Sequence, residues 1–190
     1  MNAFWNPFWS YFWPVFGIGV IVGIIAAVGS FRVRIVRSRE RPLEPDFIPQ
    51  PRRRRIAFLL SGLFVSIAAA ALWHGPLGAA DRFSAKIERQ SRQALDYYEM
   101  YKVGAHLHRG PLTRELILAG PADLDDFQRG ELVRLFNQLP GVHSVSWSNG
   151  SEWLPLIVEA ALAAIGGFLF GLLIAYLVER RRRHNAQWNW

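Results

Sequence analysis

The chain has no cysteine among its 190 residues. A disulfide framework, a thiolate metal site and a cysteine nucleophile are thereby excluded. Charged side chains are missing from residues 1–10 and, Glu159 apart, from three longer runs at 11–31, 56–73 and 154–178. A helix rises about 1.5 Å per residue and a bilayer's hydrocarbon core is about 30 Å thick, so roughly 20 apolar residues cross it. All three runs are near or above that length, which argues against a soluble core. The basic stretch that precedes the apolar run of a cleavable signal peptide is also lacking, because here it follows the first run. There is no glycine-rich phosphate loop, no nucleophile elbow and no helical HExxH. The expectation is an α-helical membrane protein with three transmembrane helices.

What charge there is lies in segments. The formal net charge is +7. Residues 32–55 hold nine Arg against Glu40, Glu44 and Asp46, a net of +6, and residues 179–190 hold four Arg against Glu179, a net of +3. Residues 74–153 carry nine Lys or Arg against ten Asp or Glu. The positive-inside rule therefore places Arg52, Arg53, Arg54 and Arg55, with Arg180, Arg181, Arg182 and Arg183, in the cytoplasm, where they also attract anionic lipid headgroups. Topology suffices to explain them, and nucleic acid is not an expected partner. The layout is an aromatic N-terminus outside (1–10), a first span (11–31), a basic Pro-rich cytoplasmic loop (32–55) and a second span (56–73). An external domain (74–153), a third span (154–178) and a basic cytoplasmic tail (179–190) follow. Pro42, Pro45, Pro49 and Pro51 keep the loop extended.

Phe4, Trp5, Phe8, Trp9, Tyr11, Phe12 and Trp13 read as an interfacial anchor, since amphipathic rings favour the headgroup level. Trp73, Trp153, Trp188 and Trp190 mark the other boundaries; docking of the aromatic N-terminus onto a larger partner is the alternative. Small residues recur every four positions as Gly19, Gly23 and Ala27, as Gly62, Ser66 and Ala70, and as Ala163, Gly167, Gly171 and Ala175. Such rows let helix backbones approach closely in lipid, either within the chain or against a partner helix.

In the external segment Gly75-Pro76 breaks the second helix and Asp81 is placed to cap the next. Phe83, Ile87, Ala94, Leu95, Tyr98 and Tyr101 then form one stripe of a helix to about residue 103. Leu112 to Leu118 reads as a strand, Asp123 as the cap of a second helix, and Val142 to Trp147 as a strand. The expected core is Leu116, Leu118, Phe127, Leu132, Leu135, Phe136, Val142 and Val145, in the order helix, strand, helix, strand. The stretch Leu116-Ile-Leu-Ala-Gly120, a capped helix with Phe127-Gln-Arg, and Leu139-Pro-Gly-Val142 followed by Val145 resemble the BON domain. That resemblance, over about 81–147, implies a small α+β fold, a bacterial envelope location, and binding of phospholipid or protein without catalysis.

Candidate chemistry is sparse. His106, His108 and His143 could supply three zinc ligands if the strands carrying them are neighbours, but solvated loop histidines are the stronger reading. His74 and His184 lie at opposite membrane faces and cannot share a haem. Asp123, Asp125 and Asp126 suit a helix start without calcium. Glu159 is an intramembrane carboxylate at shallow depth with no second charge in the first or second run. No catalytic, cofactor or metal residue is assigned. The sequence points to a multi-pass accessory or scaffold protein of the bacterial inner membrane, N-terminus outside and C-terminus inside. Its partners would be membrane lipids and another membrane or envelope protein. The alternative is a supernumerary or assembly subunit of a respiratory or photosynthetic complex.

Overall fold

The computed structural model describes residues 6–32, 34–37, 45–48, 51–147 and 154–188. In chain order the elements are α1 (Pro7–Phe31), β1 (Arg34–Arg37), β2 (Pro45–Ile48), α2 (Arg52–His74) and α3 (Ala79–Tyr97). They continue as β3 (Gly104–Arg109), β4 (Leu112–Ala119), α4 (Asp126–Phe136), β5 (Ser144–Ser146) and α5 (Leu156–Trp188). Among the described residues three helices, α1, α2 and α5, are long and apolar enough to cross a membrane, as a multi-pass membrane protein requires. Each extends past its apolar run. In α5 the basic tail stays helical, with Glu179 pairing Arg182 and Arg183 three and four residues on. Phe4, Trp5, Trp153, Trp190, Pro42 and Pro49 lie outside the described residues.

The chain forms two compact units, Pro14–Ala70 with Ala161–Trp190, and Met1–Trp13 with Ala71–Ala160. In the first, α1 and α5 meet backbone to backbone. A Cβ at Gly19 would overlap the Ala164 carbonyl oxygen, one at Gly23 that of Phe168, one at Gly167 that of Phe16, and one at Gly171 that of Val20. The glycine rows of the two helices are thus each other's partners, and the bundle is internal to the chain. Ala27 is buried, but Ala163 and Ala175 are only half-buried, and buried Ala164 and Phe168 take their place. Four residues turn about 400°, so a strict row of every fourth residue rotates away by about 40° per step. From α2, Gly62, Ser66 and Ala70 are buried, and a Cβ at Gly62 would come within 2.8 Å of the Ala26 methyl. Ile21, Ile25, Phe64 and Leu169 point outward, as lipid-facing residues do. In the connection between α1 and α2, β1 and β2 pair antiparallel, Arg34 opposite Ile48 and Arg37 opposite Pro45.

The second unit holds α3, α4 and a sheet of order β3-β4-β5. β3 and β4 form an antiparallel hairpin that places Leu107 opposite Leu116. β5 lies parallel to β4, Val145 beside Leu116, which needs the crossover that α4 supplies. The topology is therefore helix, strand, strand, helix, strand, with one strand more than the sequence reading. β3 was hidden because Leu107 is its single fully buried side chain. Phe83, Ile87 and Leu95 of α3, Leu107, Leu116 and Leu118 of the sheet, and Leu132 and Phe136 of α4 form the core.

Local boundaries differ from expectation in three places. α3 starts after Gly78, whose φ of 64° suits glycine, so Asp81 lies in the first turn rather than at the cap. It ends at Tyr97, and Glu99 at φ 57° turns the chain away, which leaves Tyr98 and Tyr101 exposed and off the buried stripe. The cap of α4 is Asp125, not Asp123.

Candidate binding surface and the polar contacts beneath it

The first two turns of α1 belong to the same unit as the sheet. Tyr11 and Phe12 are buried, and Tyr11 lies 5.3 Å from the Phe83 ring of α3. Trp9 and Trp13 remain exposed and stack at 5.5 Å. The aromatic N-terminus thus divides its work, some rings filling the domain and others, Trp9 and Trp13, standing exposed. Gly141, at φ 103°, lets the chain pass Ile87 and Pro7, since a Cβ there would sit 3.2 and 3.5 Å from their side chains.

Polar side chains join these pieces. The Arg114 Nε donates to Glu159 Oε2 at 2.7 Å, with side chains only 15% and 12% exposed. The Arg114 guanidinium also lies 5.1 Å over the Phe8 ring, and its carbonyl accepts the His143 amide at 2.8 Å. Glu159 is therefore half of an ion pair with a sheet residue 45 positions away. Tyr11 Oη and His74 Nδ1 are hydrogen-bonded at 2.6 Å, and the Trp73 indole donates to the Tyr11 carbonyl at 3.0 Å. Glu115 is 4% exposed; one oxygen accepts the Ser146 hydroxyl at 2.7 Å, and the other has no partner among the described residues.

On its surface the unit presents aromatic side chains around the exit of α3 and the start of α4. Tyr97, Tyr98, Tyr101 and Phe127 are 81%, 51%, 68% and 73% exposed. Two clefts of about 320 Å³ open there, one lined by Tyr101, Lys102, Pro121 and Leu124, the other by Tyr98, Phe127, Glu131 and Leu135; Met100 and Gln128 line both. Their charged residues are of both signs, Glu99, Asp123 and Glu131 with Lys102 and Arg134.

No known protein family, curated protein or solved structure matches the chain.

Of the expected core, Leu116, Leu118, Leu132 and Phe136 are buried and Leu135, Val142 and Val145 half-buried. Phe127 is the correction. At about 100° per residue it stands some 140° from Leu132 and 180° from Phe136, so it cannot share their face. His106 is exposed, His108 bonds the Pro111 carbonyl at 2.9 Å, and His143 precedes β5. Since β4 lies between β3 and β5, two strand spacings, about 10 Å, separate them. Among the described residues no three His, Asp or Glu side chains are grouped to hold a metal ion. Arg114, Glu115 and the Tyr11–His74 pair were not singled out from sequence. The one available signal was Glu159, a charge that needed a partner.

Proposed function

We propose that the chain is a non-enzymatic accessory or scaffold protein of the bacterial inner membrane, with its N-terminus outside and its C-terminus in the cytoplasm. Its BON-like domain then binds lipid or an envelope protein at the outer face. The observation that carries this reading is the exposed set Tyr97, Tyr98, Tyr101 and Phe127 around two clefts. Aromatic side chains grouped on a surface mark binding sites, because their burial by a partner yields much of an interface's energy. The helix, strand, strand, helix, strand order supports the BON-like assignment. So does Gly120 just after β4, where a Cβ would be 2.8 Å from Leu124 and 3.2 Å from Trp147.

The rival reading, a subunit of a larger complex, is disfavoured by the glycine rows of α1 and α5, which pack on each other and leave no such row on those helices for a partner. Two measurements test the proposal. Purified in mild detergent, the protein leaves the membrane without stoichiometric complex subunits. The double variant Tyr98→Ala/Phe127→Ala keeps the melting temperature but loses retention on phosphatidylglycerol vesicles or on a co-purified envelope protein. Unchanged retention in that variant contradicts the assignment of this face.

A further inference from the structure

The α1–α5 pair is tight only as far as Gly171, which meets Val20 and Ile24. Beyond that contact the helices leave a groove of about 240 Å³ between Ile24 and Val28 on one side and Ile174 and Val178 on the other. Ala27 and Ala175 line it with small side chains. Its mouth is at the Arg-rich end of the bundle, where Arg32 and Arg182 line it beside Glu179.

We propose that this groove binds an anionic phospholipid of the adjacent leaflet, one acyl chain between α1 and α5 and the phosphate at Arg32 and Arg182. Both wall helices are long and apolar enough to cross a membrane, so the groove falls at acyl-chain depth. An unfilled apolar gap there loses dispersion contacts that a methylene chain restores. The charge at the mouth selects the headgroup. Glu179 holds Arg182 at 2.7 and 2.9 Å and Arg183 at 3.3 Å, and Arg183 is also tied to the Phe31 carbonyl at 2.9 Å. Arg32 has no carboxylate partner among the described residues. Among the described residues the mouth carries Arg32 and Arg182 beside Glu179, with Arg183 next to it, a positive balance that suits a lipid phosphate. At the same end the Arg55 Nε is buried with no acceptor among the described residues, a second sign that anions are wanted there. Basic pockets between membrane helices are recognised sites for anionic headgroups.

The full chain in detergent is titrated with phosphatidylglycerol, phosphatidylcholine or inorganic phosphate, and retained lipid is counted by native mass spectrometry alongside the melting temperature. One phosphatidylglycerol is expected to bind saturably in preference to phosphatidylcholine, and inorganic phosphate neither stabilises nor displaces it. Arg32→Gln should weaken binding about fivefold, the effect of one interfacial cation, with the lipid-free melting temperature unchanged. Ala175→Phe, which fills the groove, should abolish retention while leaving the Arg residues in place. Arg53→Gln/Arg54→Gln, whose side chains are exposed and do not line the groove, should change retention less than twofold. Equal binding of the two lipids, displacement by inorganic phosphate, or equal losses in the Arg32 and Arg53/Arg54 variants would each overturn the site. The last outcome would assign the effect to diffuse attraction.

Discussion

A carboxylate one turn into an apolar helix is costly when alone, and Glu159 is accommodated because Arg114 reaches it from β4 at 2.7 Å. Removing one member leaves the other charged, partly buried and without this ion pair, so Glu159→Leu or Arg114→Met should each destabilise the protein by about 3 kcal/mol. The double variant Arg114→Met/Glu159→Leu should recover most of that loss, and thermal unfolding through the double-mutant cycle measures the coupling. If the double variant is as unstable as the sum of the singles, the pair has no mutual role. Two phenylalanines of α4 give a second contrast. Phe136, fully buried, should cost about 3–5 kcal/mol as alanine, while Phe127→Ala should stay within about 0.5 kcal/mol. At this scale the sequence disclosed the unusual residue, Glu159, but not its partner. A contact between positions 114 and 159 follows from tertiary packing that no local pattern encodes.

Among the elements, the membrane helices were legible because their signal is long and uninterrupted, and their ends were less so. Arg52 to Arg55 join α2, and α5 continues through Arg180 to Arg183, because nothing in those stretches breaks a helix. The small-residue rows were readable as packing surfaces, though which helix each row met was not. That pairing gives a sharp test. Gly167→Leu should strongly lower the stability of the purified protein, since its side chain would begin inside the Phe16 carbonyl oxygen. Gly166→Leu, one position away, should have little effect, because a Cβ there meets no other described atom within 4 Å. Melting of the two variants in detergent decides it, and equal behaviour contradicts the α1–α5 contact. The elements from α3 to β5 were harder to read. β3 has one fully buried residue, too weak an alternation to stand out, and Tyr98 and Tyr101 imitate a continuation of the α3 core stripe until the true helix end after Tyr97 is known.

For the whole molecule the proposed orientation is directly measurable, because the chain has no cysteine. Single cysteines at Arg53 and Arg92, both exposed, should differ in reaction with a membrane-impermeant maleimide applied to intact spheroplasts. Position 92 is expected to label and position 53 to label only after permeabilisation; the reverse pattern inverts the topology. The molecule also combines two kinds of cohesion. At Gly19, Gly23, Gly167 and Gly171 the hydrogen standing where a side chain would begin points at a carbonyl oxygen of the facing helix. These are Cα–H···O contacts, each worth about 0.5–1 kcal/mol, between groups that neither titrate nor attract counterions. The glycine contacts between α1 and α5 should therefore be indifferent to ionic strength, whereas salt screens the exposed parts of the charged pairs. The contact that holds α1 to α5 at these glycines thus involves no group that salt can screen.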